Sequence, residues 1–313
     1  MVMSKSTFKA AHFHDEDAAR AWFEAARWPD GPVCPNCGSL KHYTTKKAGR
    51  YRCGEKECRK DFTVMTKSVM ERSHAPLTAW ATAFHLYASS KKGFTATQLE
   101  RILGCQYNTA WFIHHRVMEA MRRGGLESPL GGSGKIVEAD ETYYGKTEET
   151  RVSPQRRGRP YNPRGSRGPK GKRAIVALVE RGGDVRTFHV AVADQVTVQG
   201  IVTTNIAKET RLHTDESRLY TGMDAHFATH ETVKHTAKEY ARGDVNTNSA
   251  EGFFGIFKRG MRGNYQHCAE KNLHRYLSEY EFRYNTRAMT DGERAALAVK
   301  GGEGKRLTYR QPH

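Results

Sequence analysis

Two sets of side chains in this sequence have the types and spacing to do chemistry. The first is four cysteines, Cys34-Pro-Asn-Cys37 and Cys53-Gly-Glu-Lys-Glu-Cys58, with fifteen residues between the pairs. Paired thiolates on two tight turns can surround one Zn²⁺ tetrahedrally, and four of them leave no open coordination position for catalysis. Gly38 and Gly54 suit such turns, and Tyr43, Tyr51 and Phe62 give the hairpin between them something to pack. The second set is acidic. Asp140 follows the apolar run Ile136–Ala139, Asp215 follows Leu212-His213-Thr214, and Glu251 lies in the segment Asn248–Lys258. Carboxylates at two strand ends, joined by one from a helix, can hold two Mg²⁺ or Mn²⁺ ions about 3.5–4 Å apart for phosphodiester chemistry. Lys258, seven residues after Glu251, is in phase with it on a helix and could hold a substrate phosphate. Asn248 has two readings, as a helix-capping residue with Glu251 three positions on, or as a metal or phosphate contact.

Elements that could position these groups follow from the hydrophobic period. Asp15 to Trp28 reads as a helix with Ala18, Trp22 and Ala25 or Ala26 on one face. Residues 76–123 are helical with one break at Lys92-Gly93. Within them Thr95 and Gln98 match a capping box, Leu99, Ile102 and Leu103 face inward, and Gly104 stops the helix. A second helix starts at Gln106–Asn108. The pair, preceded by Trp80–Tyr87, suggests a helix-turn-helix, with Gln106, Tyr107, Asn108 and His114 or His115 near base edges. Glycines and Pro129 mark residues 124–134 as a linker. Beyond it come strand candidates at 135–140, 173–180 and 185–192, a helix near 197–207, a strand ending near Thr214 and an edge strand near 230–236. Helices over 248–260 and 271–286 follow. Strands alternating with helices predict an α/β domain.

The chain has 313 residues, with 51 Lys plus Arg against 34 Asp plus Glu, a formal charge of +17. Apolar residues make up 37%, which excludes wholesale disorder. No run approaches the roughly 20 apolar residues of a membrane helix, and no signal peptide is expected. A basic protein of the cytoplasm, associated with the nucleoid, is expected, with a polyanion as partner, nucleic acid above all. Residues 151–173 hold nine basic residues, no acidic ones and four prolines, and read as a solvated insert that lies on DNA phosphates.

Taken together, the cysteine pairs, Val137-Glu-Ala-Asp140-Glu-Thr-Tyr-Tyr-Gly145, His213-Thr-Asp215, Asn248-Ser-Ala-Glu251-Gly-Phe-Phe…Phe257-Lys258-Arg259-Gly260 and Leu273-His-Arg-Tyr-Leu…Phe282-Arg-Tyr-Asn-Thr-Arg287 occur in order. This series resembles the ISXO-like insertion-sequence transposases, with an N-terminal zinc ribbon and a DDE catalytic domain, over roughly residues 15–290. The resemblance implies a ribonuclease H-like mixed sheet flanked by helices, preceded by the ribbon and a helix-turn-helix-like domain. It implies binding of terminal inverted repeats in double-stranded DNA, Mg²⁺-dependent phosphodiester cleavage at the element's ends, and joining of the freed 3′-hydroxyls to target DNA. Asp140 and Asp215 match the first two acidic positions. For the third, where the family pattern varies between an acid and Asn, Glu251 is favoured because only a carboxylate offsets the charge of two ions, with Asn248 the alternate. The expected domains are 1–70 (helix and ribbon), 71–130 (helix-turn-helix-like), 131–295 (catalytic, with the basic insert 147–173) and a 296–313 tail. Processing two ends together calls for a homo-oligomer, at least a dimer on DNA. A competing reading is a DNA-binding regulator built from ribbon and helix-turn-helix, with a non-catalytic C-terminal half. Another is a metal-dependent nuclease that cuts without joining.

Overall fold

A computed structural model describes residues 7–124, 127–147, 171–233 and 241–307. The chain divides into two compact units, residues 1–123 with 286–313, and residues 124–285.

In the first unit, Asp15 caps α1 (Glu16–Arg27) by accepting from the Ala18 amide at 2.7 Å. The buried stripe of α1 is Ala19, Phe23 and Arg27, one position round from the stripe expected from Ala18, Trp22 and Ala25 or Ala26. Alanines on both sides make the stripe ambiguous in sequence. Phe23, packed edge-on against Phe84 at 6.0 Å, decides it. A small antiparallel sheet follows, β1 (His42–Thr44), β2 (Tyr51–Cys53) and β3 (Asp61–Phe62), in that order. Its apolar side is closed by Trp28, Tyr51 and Phe62.

Three helices come next: α2 (Leu77–Ser89), α3 (Ala96–Leu103) and α4 (Tyr107–Met121). The capping box of Thr95 and Gln98 forms, and Gly104 ends α3 at φ 61°, a left-handed conformation that glycine adopts without penalty. Leu99 is buried and Leu103 partly so, but Ile102, expected inward, is 53% exposed. So short a helix has room to bury only one narrow stripe. The last segment is more than the tail read from the sequence. Its helix α8 (Asp291–Gly301) packs on α1, α2 and α4 within this unit.

The second unit is a five-stranded mixed sheet in the order β6-β5-β4-β7-β8, built from β4 (Ile136–Tyr144), β5 (Arg173–Glu180), β6 (Val185–Val190), β7 (Arg211–Asp215) and β8 (Thr229–Val233). The β4–β5–β6 meander is antiparallel, while β7 runs parallel to β4 and β8 parallel to β7. This is the expected ribonuclease H-like arrangement. Side chains alternate across it. Val137, Ala139, Val176, Leu178 and Leu212 face α5 (Gln195–Asn205) and pack on its Val198 and Val202. Helix α6 (Asn248–Gly260) contacts β4 and β5, and α7 (Leu273–Asn285) contacts β6. Phe257 joins α6 to Tyr280 of α7 and to Tyr144 of β4. The Asn285 side chain accepts from the Val185 amide at 2.7 Å and donates to its carbonyl at 3.0 Å, so part of the β6 edge is covered. Most of the basic insert, residues 148–170, lies outside the described residues. Among the described residues, no helix is long and apolar enough to cross a membrane.

Candidate active site and metal centre

The cysteine turns are set by the backbone. The Gly38 amide donates to the Cys34 carbonyl at 2.8 Å, and Gly38 sits at φ 77°. The Gly54 amide ties the second turn to the Lys41 carbonyl at 2.8 Å. The four Sγ atoms of Cys34, Cys37, Cys53 and Cys58 lie within 4.8 Å of one another. Two of the separations are 3.8 Å (Cys34–Cys58) and 3.5 Å (Cys37–Cys53). Tetrahedral sulfurs about 2.3 Å from zinc stand about 3.8 Å apart, so the set fits structural Zn²⁺. Burial raises the Cys34 thiol, but hydrogen bonds with the amides of Asn36 and Cys37 and with the Cys37 and Cys53 side chains together outweigh it and bring it to about 7. A thiol so tuned yields its proton readily to a metal.

On the ribbon, Arg50 and Arg52 both converge on Asp61, at 2.9 and 2.7 Å. In the helical region Gln106, Tyr107 and Asn108 are exposed. His114 and His115 are not available to base edges. They are 3% and 1% exposed, and the Tyr87 hydroxyl is bonded to His114 Nδ1. Helix α4 is covered by α2, α3 and α8, which the polar His-His pair gave no hint of.

In the second unit, parallel pairing aligns Glu138 of β4 with His213 of β7. Asp140 and Asp215 each follow two residues later on these neighbouring strands, just beyond the last residues that pair β4 with β7. Asp140 is pushed up to about 8 by burial first, then by the charges of Glu141, Asp215 and Glu251. The Asp140 charge in turn opposes the burial and the Arg262 charge that lower Lys258. The fold therefore brings Asp215, Glu251 and Lys258, far from Asp140 in sequence, within electrostatic reach of Asp140. Among the described residues, the four cysteines are the one group of three or more His, Cys, Asp or Glu side chains gathered closely enough to hold a metal, and Asp140, Asp215 and Glu251 do not form such a group. These carboxylates offer oxygen donors alone. Such a hard oxygen donor set suits divalent magnesium or manganese.

Asn248 is the first residue of α6 and exposed, and the residue ahead of it, Thr247, occupies the capping position. The capping-box reading of Asn248 with Glu251 is thereby replaced. Two acids of the site, Glu141 and Glu138, have no role in the sequence reading. Glu141 is raised by burial and by Asp215, although Tyr220 and Ser217 donate to it at 3.0 and 3.4 Å. Glu138 is fully buried and paired with Arg181 at 2.7 Å. The signal was present, since an acid in the middle of an apolar strand is rarely left there without a partner.

Comparison with known proteins agrees with this organisation. The ISXO2-like transposase domain model matches residues 129–285, half of the chain, and the transposase zinc-ribbon domain model matches residues 14–61. No curated protein matches. Among solved structures, a chain of the simian T-cell lymphotropic virus intasome in complex with PP2A regulatory subunit B56 gamma is 12% identical, with 63% of this chain and 66% of that one covered and a TM-score of 0.27. The Mos1 strand transfer complex is also 12% identical, with 68% and 78% covered and a TM-score of 0.22. The chain spans slightly less than two thirds of the intasome chain. Likeness this distant carries no argument. The two domain models suffice on their own: the chain is a member of the ISXO2-like transposases, with a zinc ribbon at its N-terminal side.

Proposed function

We propose that this transposase binds the terminal repeats of its element, hydrolyses a phosphodiester at each end, and joins the freed 3′-hydroxyl to target DNA. Asp140, Asp215 and Glu251 would hold two Mg²⁺ or Mn²⁺ ions, with Asn248 the alternate third ligand. The observation that carries the reading is the Asp140 carboxyl. Burial and three acidic neighbours hold it near 8, a cost to the fold that a bound cation would remove. Glu251 is favoured over Asn248 because its charge acts on Asp140. Bound there, the ions would activate the attacking water or 3′-hydroxyl and stabilise the leaving oxygen.

The remaining work falls to the chain itself. Lys258, half-buried on α6 within the field of Asp140, would hold a non-bridging phosphate oxygen as a point charge. In hydrolysis a water oxygen bonds to phosphorus while the bond to the 3′ oxygen breaks. In joining, the freed 3′ oxygen bonds to a target phosphorus while that phosphorus loses its bond to the target strand's 3′ oxygen, and the proton of the attacking hydroxyl ends on the leaving oxygen. The cysteines hold the ribbon's zinc, and exposed Gln106, Tyr107 and Asn108 would meet DNA from the helical region. Two ends processed together need at least two copies of the chain.

The test is Mg²⁺-dependent nicking of DNA that bears the element's ends, with Asp140→Asn and Asp215→Asn as comparisons. Loss of nicking in both variants is expected, together with products in which the cut 3′ end is covalently joined to a second duplex. Unchanged nicking in both variants would remove this active site. Cutting without joined products would leave a nuclease.

A further inference from the structure

Helix α6 carries Asn248 and Glu251 in its first turn, yet its capping residue Thr247 makes no side-chain cap hydrogen bond. The amides open at a helix start must then be satisfied from elsewhere. Asn246 Oδ1 accepts from the Asn248 amide at 3.2 Å. The next two amides are taken by a residue of another element. Glu138 Oε2 accepts from Ser249 N at 2.7 Å and Ala250 N at 3.1 Å, and Glu138 Oε1 accepts from Ser249 Oγ at 3.0 Å. Glu138 lies on β4, two residues before Asp140 and on the same face of the sheet.

Its charge has a partner. Arg181, in the turn between β5 and β6, donates to Glu138 Oε1 from Nε at 2.9 Å and from Nη2 at 2.7 Å. The same guanidinium donates to the Asp244 carbonyl at 2.8 Å, and to the Asn246 carbonyl and Oδ1 at 3.2 and 3.1 Å. The central strand, the hairpin turn, the approach to α6 and its first turn are thus closed into one hydrogen-bonded ring. A buried ion pair seldom improves stability over an apolar pair of the same shape, but it fixes geometry, since each partner is expensive to leave unpaired. The helix dipole also favours a carboxylate at this end.

We propose that Glu138 and Arg181 are positioning residues that set the separation of Asp140 on β4 from Glu251 on α6, and through it the affinity of the site for divalent ions. The proposal rests on reading Asp140, Asp215 and Glu251 as the ligands. It is tested on the zinc-loaded full chain without DNA, by titrating Mn²⁺ and following loss of the free-ion electron paramagnetic resonance signal. Zinc content and thermal melting report the fold. Asp140→Asn and Asp215→Asn should abolish tight Mn²⁺ binding. Glu138→Gln, isosteric but with an NH₂ in place of one acceptor, should weaken it about tenfold with zinc content unchanged. The double variant Glu138→Gln/Arg181→Met removes the stranded arginine charge. It should recover melting temperature but not Mn²⁺ affinity, a split that a purely structural role does not produce. If Glu138→Gln does not fold, the double variant makes the same comparison. Wild-type Mn²⁺ affinity in the folded Glu138 variants, with loss in the Asp140 and Asp215 variants, overturns the positioning role alone. Wild-type affinity in the Asp140 and Asp215 variants overturns the ligand reading, and this proposal with it.

Discussion

Replacing Asp140 with Asn should make the protein more stable in the absence of added divalent ions, and the gain should depend on pH. The carboxyl is moved from its ordinary 3.8 to about 8 by burial and by Glu141, Asp215 and Glu251. Raising the folded-state value of an acid favours its protonated form in the fold. The protein is therefore unpenalised below about pH 4, loses stability as pH rises toward 8, and carries the full penalty above 8. At about 1.4 kcal/mol per tenfold change in acid constant, the ceiling is about 6 kcal/mol. Relaxation of the side chains and dissolved salt lower it, and a difference of at least about 2 kcal/mol at pH 8.5 is expected. Urea melts of the zinc-loaded wild type and variant, at pH 5 and at pH 8.5, measure it. The variant should gain at pH 8.5 and little at pH 5, and added Mg²⁺ should narrow the gap by stabilising the wild type alone. A variant less stable than wild type at pH 8.5, or an equal difference at both pH values, would refute the reasoning.

Cys58→Ser leaves three thiolates for the ribbon's zinc, and zinc affinity measured by competition with a chromogenic chelator should fall at least about a hundredfold. At Gly301 a Cβ would stand 2.5 Å from the Ala120 carbonyl oxygen, so Gly301→Ala should cost about 1–3 kcal/mol in denaturant melts as α8 is forced off α4. Thr95→Ala removes the hydroxyl that accepts from the Gln98 amide at 3.1 Å, while the backbone amide of residue 95 can still donate to the Gln98 side chain, and should cost about 1 kcal/mol in the same assay.

Local signals in the sequence carried well. Helix α6 starts at Asn248 and ends at Gly260, and β5 runs from Arg173 to Glu180, because each has a clean period and sharp stops. The four-thiolate set follows from ligand chemistry and spacing alone. Features decided by distant partners did not show. Glu138 looks like any strand acid until Arg181 and the α6 amides close around it. His114 and His115 look polar and available until α2 and α8 cover α4. The return of α8 to the first unit rests on packing against helices some two hundred residues earlier, which no local period encodes. Strand β4 runs on through Tyr144 rather than stopping at Asp140, because pairing with β5 holds its polar half in the sheet.

The most direct measurement of the central claim is strand cleavage and joining on end-bearing DNA at saturating Mg²⁺, compared across Asp140→Asn, Asp215→Asn, Glu251→Gln and Asn248→Ala. The account predicts that the first three lose both reactions by at least about a thousandfold, in the range found when a metal-held phosphoryl-transfer site loses its electrostatic stabilisation, while Asn248→Ala keeps most of its activity. Full activity in Glu251→Gln, with loss in Asn248→Ala, would move the third ligand to Asn248. Full activity in either aspartate variant would contradict the account itself.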